Sequence, residues 1–571
     1  MIKTRMLAAS TLCAALTTIL PAQTTAQAPA NRFIPDNSAL VVRVASPAKW
    51  RKQFGTTQVA KLFQANSLAP FIGMAGQRID MGIGMLRDSG IFNADLAEGL
   101  LNDWQGDIIV SVQVDWDGFI DAMDFGETPP LSFMVALTPD GNFDLGAVAK
   151  EFEQMIEKTA PDGGGLTDLV VGDLTLRRTD NGGDEPDMAL PVMIDGHLVM
   201  MGGTQLAKDA TKLISKEARF SANTDDAPLF VQADIGKLIS TLMMADAGGA
   251  PFDPADMLDI LGLSALQELS LKLKPDGQAI AGEFHIGMKK EGRGLLNMLP
   301  NTTKQPSLLT AVPADSEAFS VSAFDLMPIY TTVEEFWGLM EGFVPMTFED
   351  AVGGFNEMTK VRLKEDLLAH LGKEMFSVTS VEALKDMDLS DEDPTAFLNG
   401  TVYGLALNDG KAFGASLEKA LRSRGMHIGR KTEDYANAKI NRMKLAGMIP
   451  VEYVVTDDML LIAVGEGEGT GRALRDVIDT RSSGDSEGPK IVAKHANNFP
   501  AGWNGIGYTP IGAILEGVIG GMQASGQFGP EMDMAAQVVK GVVADMDRLG
   551  IGSILQVNYS DGTGITQRFR W

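Results

Sequence analysis

The feature that most limits how this 571-residue chain folds is that it is written twice. FIPDNSALVVRV sets Pro35 and Ser38 ahead of an apolar strand, and AVPADSEAFSVS does the same with Pro313 and Ser316. LAEGLLNDWQGDIIVSV from Leu96 aligns with LKEDLLAHLGKEMFSVT from Leu363, pairing Leu100 with Leu367. VALTPDG ending at Gly141 aligns with GLALNDG ending at Gly410. IDGHLVMMGGTQLAKDATKLI from Ile194 aligns with TDDMLLIAVGEGEGTGRALRDVI from Thr456, so that Asp195 meets Asp457. ADIGKLISTLMM from Ala233 aligns with TPIGAILEGVIG from Thr509, carrying Pro254 onto Pro530, and Asp276 in LKLKPDG meets Asp561 in VNYSDG. Six matches in one order, at separations between 262 and 285 residues, predict a tandem duplication.

Each copy reads as strand, helices, strand, acidic loop, strand, helix, two or three strands, helix, and then strand, helices and a closing hairpin. Short β-branched or alternating runs such as ALVVRV, DIIVSVQV, LSFMVAL, HLVMMG and LSLKLK, bounded by Asp-Gly or Pro, give the strands. In LGAVAKEFEQMI, Leu145, Val148, Phe152 and Ile156 recur at helical spacing on one face. This order predicts an α+β fold in two tandem copies, mainly antiparallel sheets with helices packed on a face, over residues 27–300 and 308–571, with the polar stretch 301–307 as linker.

Three of these elements carry a resemblance. Pro-x-x-Ser before an apolar strand, Asp366-Leu367-Leu368 with Leu371-Gly372 and Glu374 before another, and an Asp-x-x-Leu-x-x-x-Gly step into a helix are similar to a family of secreted bacterial domains of unknown function, DUF3352. Copy one departs from the second motif, with Gly99-Leu100-Leu101 and Trp104-Gln105. The resemblance implies an exported, duplicated domain and no catalytic residues.

The start, MIKTRMLAASTLCAALTTILPAQTTAQAPANRF, has Lys3 and Arg5 before an uncharged run from Met6 to Leu20 and then small residues, the pattern of a secretory signal over 1–26. Thr24 and Ala26 fit the small-x-small rule, which places cleavage after Ala26. Cys13, the single cysteine, leaves with the leader, so the mature chain is expected to hold neither disulfide nor thiol nucleophile. Lys and Arg number 48 against 75 Asp and Glu, a net −27; loss of Lys3 and Arg5 makes this about −29, which repels phosphate backbones and excludes nucleic acid as a partner class. IGAILEGVIGGMQASG, from Ile511, is cut by Glu516 and rich in glycine, so it predicts a buried helix; no membrane span is expected in the mature chain. ITQRFRW alternates and ends on Trp571 like a barrel-closing strand, but the chain is too helical for a membrane barrel.

Chemical motifs are few. Gly465, Gly467, Gly469 and Gly471 match neither a dinucleotide fingerprint nor a P-loop, Glu466 and Glu468 would repel phosphate, and copy one has only GGTQ there; the stretch reads as a strand-to-helix turn. GDSEG at 484–488 fits the esterase serine pattern around Ser486 but lies in a polar loop ahead of Pro489. His197, His285, His370, His427 and His495 form no metal-spaced pair. QVDWDGFIDAMD, counted from Gln113, puts Asp115, Asp117, Gly118, Asp121 and Asp124 at positions three, five, six, nine and twelve of a calcium loop. Against calcium, position one is Gln, position twelve is the shorter Asp, and a strand precedes it; copy two offers KDMDLSDEDP without the spacing, so a solvated acidic loop is the preferred reading.

The sequence thus predicts an exported, soluble, non-enzymatic binding or cell-envelope module without cofactor. The alternatives are a secreted hydrolase whose site no linear motif reveals, or a carrier of an apolar ligand that uses some of the 31 methionines. If the leader is read correctly, N-terminal sequencing of the exported protein will begin at Gln27; a full-length cytoplasmic product would refute it.

Overall fold

The structure, a computed structural model, describes residues 38–65, 93–116, 130–139, 143–159, 166–171, 174–179, 187–203, 227–244, 253–289, 294–340, 343–381, 400–445, 449–465, 468–483, 488–524 and 530–571, with single positions at 34, 67–68, 84, 87, 118–119, 122 and 206. The chain divides into two compact units, Met1–Ala245 with Gln267–Gly287, and Asp246–Leu266 with Met288–Trp571.

The strands of the first unit are β1 (Ser38–Val44), β2 (Ile108–Val114), β3 (Leu131–Leu137), β4 (Leu166–Val171), β5 (Leu174–Thr179), β6 (Asp187–Met188), β7 (Val192–Ile194), β8 (His197–Gly203), β9 (Leu229–Ala233), β10 (Leu266–Asp276) and β11 (Ala279–Met288). Antiparallel pairing sets the order β8-β3-β2-β1-β9-β10, with β7 and β6 on β8 and β4–β5 as a separate hairpin. β10 turns into β11 at Gly277, whose φ of 63° is a conformation glycine adopts without a Cβ clash. Both faces of this sheet are covered. Val41, Ile109, Met134 and Val199 pack with Leu176 of β5 on one side. Val44, Ile108, Val135 and Leu198 pack on the other with Leu100 of the helix Ala94–Asn102 and Val148 and Phe152 of the helix Leu145–Thr159. Asn93 starts the first of these helices by accepting from the amides of Asp95 and Leu96.

The second unit contains β12 (Phe319–Ala323), β13 (Leu371–Thr379), β14 (Thr401–Leu407), β15 (Lys431–Tyr435), β16 (Ala438–Leu445), β17 (Ile449–Val455), β18 (Met459–Val464), β19 (Gly505–Thr509), β20 (Ile554–Ser560) and β21 (Gly564–Arg570). Its sheet is antiparallel in the order β15-β16-β17-β18-β14-β13-β12-β19-β20-β21. Helices cover both faces. Leu461 and Ala463 of β18 point to Leu474 and Val477 of the helix Glu468–Ser483, and the intervening Leu460 and Ile462 point to Phe413 and Leu417 of the helix Gly410–Ser423. The expected arrangement, with helices on a face, therefore describes half of what is present. The reason is in the strand: LLIAV is apolar at every position, so neither of its faces can be left to water. Residues 301–307, expected as a linker, fall within the second unit, where Ser307 donates its hydroxyl and Leu308 its amide to Glu374 on β13.

Phe376 shows how tightly the sheet is built. It is fully buried, faces Gly404 across the β13–β14 ladder, and lays its ring where a Cβ on Gly404 would stand. Gly404→Ala should cost about 1–3 kcal/mol by overpacking, read as a lower urea midpoint. Adding Phe376→Leu to the same chain should recover part of that loss; additive losses would show that the ring is not what Gly404 accommodates.

Candidate functional site

Within the stretch Met459–Ile478 the strand Met459–Val464 and the helix beginning at Glu468 form as the sequence predicts; Glu466 and Gly467 lie outside the described residues, and the structure explains two of the glycines. Gly465, at φ 108°, makes the turn, and its amide donates to Pro450. Gly471 lies one helical turn before Arg475, whose Nη1 donates to the Gly471 carbonyl at 2.9 Å. A Cβ on residue 471 would stand 2.9 Å from that nitrogen. At this position the glycine accommodates an arginine side chain.

Arg475 is the hinge of an ion-pair network on an open recess of about 620 Å³ lined by Tyr435, Arg442, Glu452, Gly471, Arg472, Arg475 and Asp476. Its Nη2 donates to both oxygens of Glu433 on β15 (3.1 and 3.0 Å), and its guanidinium lies 5.3 Å from the centre of the Tyr435 ring. Arg442 on β16 donates to Glu433 at 2.7 Å and to Glu452 on β17 at 2.6 Å, while Tyr435 donates to Asp479 at 2.7 Å. Arg442, Arg472 and Arg475 are thus opposed by Glu433, Glu452 and Asp476, with Asp479 on the Tyr435 hydroxyl, so the recess carries no excess positive charge to hold an anion. Its evident work is to clamp the β15–β16 hairpin to the helix Glu468–Ser483. Burial, then Asp315 and Asp479, raise the Asp476 carboxyl above its ordinary range, with Arg472 opposing.

A second feature is apolar. The helix Met327–Leu339, MPIYTTVEEFWGL, has large apolar residues around most of its circumference, yet Thr332 is its one fully buried residue. A helix of that composition usually lies inside a core. Here it is started by Asp325, which accepts from the Met327 amide at 3.0 Å, and is followed in the chain by the helix Phe348–Thr359, started by a reciprocal Thr347–Asp350 capping box. Phe348 is the contact between them, 5.3 Å from the Tyr330 ring and 6.0 Å from Trp337, whose Nε1 donates to the Met346 carbonyl. Around these rings Val333, Phe343, Met346 and Met358 are 43, 60, 49 and 52% exposed. Phe348, Val352, Phe355 and Met358 continue the apolar stripe along the second helix, none of them fully buried. Charge borders this surface: Glu334, Glu335, Glu349, Asp350 and Glu357 are exposed, and Lys364 Nζ sits 5.0 Å from the Tyr330 ring centre. The Tyr330 hydroxyl is pushed above its ordinary value by burial and then by the charges of Glu334, Glu365 and Glu349.

Of the calcium-loop residues, Asp115 follows β2; its amide donates to Pro130 and its carbonyl accepts from Phe119. Asp117, Asp121 and Asp124 lie outside the described residues, as does Ser486. Among the described residues no cluster of three or more His, Cys, Asp or Glu has the geometry to hold a metal, and no helix is long and apolar enough to cross a membrane.

No protein-family model matches the chain, and no curated protein matches it. Among solved structures, crystal form I of TP0453 matches at 8% identity over 46% of this chain and 80% of that one, with a TM-score of 0.20, too low to carry an argument.

The clamp generates a pH dependence. Hydrogen bonding from Arg475, then the charges of Arg475 and Arg442, holds the Glu433 carboxyl below its ordinary value near 4.5, against a smaller opposing effect of burial. A depressed carboxyl contributes stability that is complete above the unfolded-state value and is lost as pH falls through the folded-state value. Wild-type urea midpoints should therefore fall between about pH 5 and 3 more steeply than those of Glu433→Gln. Parallel curves would remove Glu433 from the acid response.

Proposed function

We propose that this is an exported, non-enzymatic binding module built from two copies of one fold, and that it engages an apolar surface through the helical hairpin Met327–Thr359. One observation carries the binding reading: Val333 on a helix apolar on most sides, and Phe343 and Met346 just after that helix, stand in water in a chain with ample core. Exposed apolar patches bordered by polar residues mark interaction sites on soluble proteins. The shape favours docking over carriage, since the exposed residues sit on helix surfaces and a turn.

The duplication draws support from agreement between the units. The order β8-β3-β2-β1-β9-β10 has the same connectivity as β18-β14-β13-β12-β19-β20. Asp195 and Asp457 occupy the turns before β8 and β18, and Pro254 and Pro530 each begin the second helix after β9 and β19. Pro35 and Gly141, matched in sequence to Pro313 and Gly410, lie outside the described residues.

The test is binding of Nile red, an uncharged apolar dye. Wild-type protein should enhance its fluorescence saturably, and Phe343→Ser/Met346→Ser should remove most of that signal without lowering the urea midpoint, because both side chains are exposed. An unchanged signal in the double variant would end the reading.

A further inference from the structure

Resting on that reading, we propose that the hairpin Met327–Thr359 receives a cationic amphipathic segment of a protein partner, whose apolar side chains cover Val333, Phe343 and Met346 and whose lysines or arginines meet Glu334, Glu349 and Glu365. Charge complementarity selects this occupant. Glu334 and Glu335 stand on the first helix, Glu349, Asp350 and Glu357 on the second, and Glu365 follows, all exposed. The aromatic face of Tyr330 is already a site for a cation: Lys364 from the same chain extends over it at 5.0 Å. An exposed lysine there can be displaced by, or share the carboxylates with, a cation from outside.

The same charges argue against a lipid surface. Helices that lie in a membrane interface carry lysine and arginine on their polar side, to meet anionic headgroups. This hairpin presents carboxylates instead, on a chain of net charge −27. That overall field also draws a basic partner in from solution and makes the encounter sensitive to salt.

The experiment uses the mature chain and fluorescently labelled 18-residue peptides of leucine and lysine, or leucine and glutamate, arranged with helical amphipathicity. The leucine–lysine peptide should bind and the leucine–glutamate peptide should not. Glu334→Gln/Glu349→Gln/Glu365→Gln should weaken the cationic peptide by at least about tenfold and flatten its salt dependence, while leaving Nile red binding unchanged. Neutralising three other exposed carboxylates, Asp315→Asn/Glu317→Gln/Asp434→Asn, should leave peptide affinity within about twofold. Equal loss in the two triple variants, equal binding of the two peptides, or tighter binding to phosphatidylglycerol vesicles than to the cationic peptide would overturn the proposal. In each case, Nile red binding lost in Phe343→Ser/Met346→Ser would leave the apolar docking reading standing.

Discussion

Everything else in the second unit depends on the burial of both faces of its central strands. β18 sends Leu461 and Ala463 to one side and Leu460 and Ile462 to the other, and β14 does the same with Val402 and Leu405. A strand so composed cannot lie at a solvent face, because half its side chains would then be exposed in water at a cost of about 1.5–3 kcal/mol each. It forces a helix onto each side. The helix Glu468–Ser483 covers one face, held at its first turn by Thr470, whose hydroxyl accepts from the Gly400 amide at 3.0 Å, and further along by the clamp of Arg475 on Glu433. β8 in the first unit imposes the same requirement through Leu198 and Val199, which pack into different clusters.

Against that economy the hairpin Met327–Thr359 is an exception. The residues that would ordinarily close a core here make contacts with one another, through Tyr330, Trp337 and Phe348, and present their remaining area outward. Sound capping by Asp325, Thr347 and Asp350 keeps the helices formed without full burial. An apolar surface carried on helices that are already formed loses little conformational freedom when it is covered, which suits docking. The ion-pair recess is the opposite case: its opposed charges satisfy one another, and it serves the fold.

Much of the architecture was legible because strands here are short and their composition is decisive. ALVVRV, DIIVSVQV, LSFMVAL and HLVMMG are all strands, and the helical spacing of Leu145, Val148 and Phe152 marks a helix that buries those three residues. The second helical layer was missed, although the uninterrupted apolar character of LLIAV carried the signal. A strand and a helix flank the glycine-rich stretch as expected, but nothing local showed that Gly471 makes space for Arg475. The apolar hairpin also left a trace, a helix-length run with two aromatics near its end and only a narrow polar side at Thr331, Glu334 and Glu335, which calls for either burial or a partner.

Sequence by itself determined the local elements: where strands and helices begin, which caps start them, and that the chain's charge is strongly negative. Those properties depend on neighbours within a few residues, or on composition. Tertiary structure alone decided which distant groups meet: Arg475 with Glu433, Phe376 with Gly404, and Tyr330 with Phe348 and Lys364. It also decided which apolar residues stay outside. Those outcomes follow from strand register and helix placement, where each side chain's surroundings are set by segments far along the chain, so no local pattern can specify them.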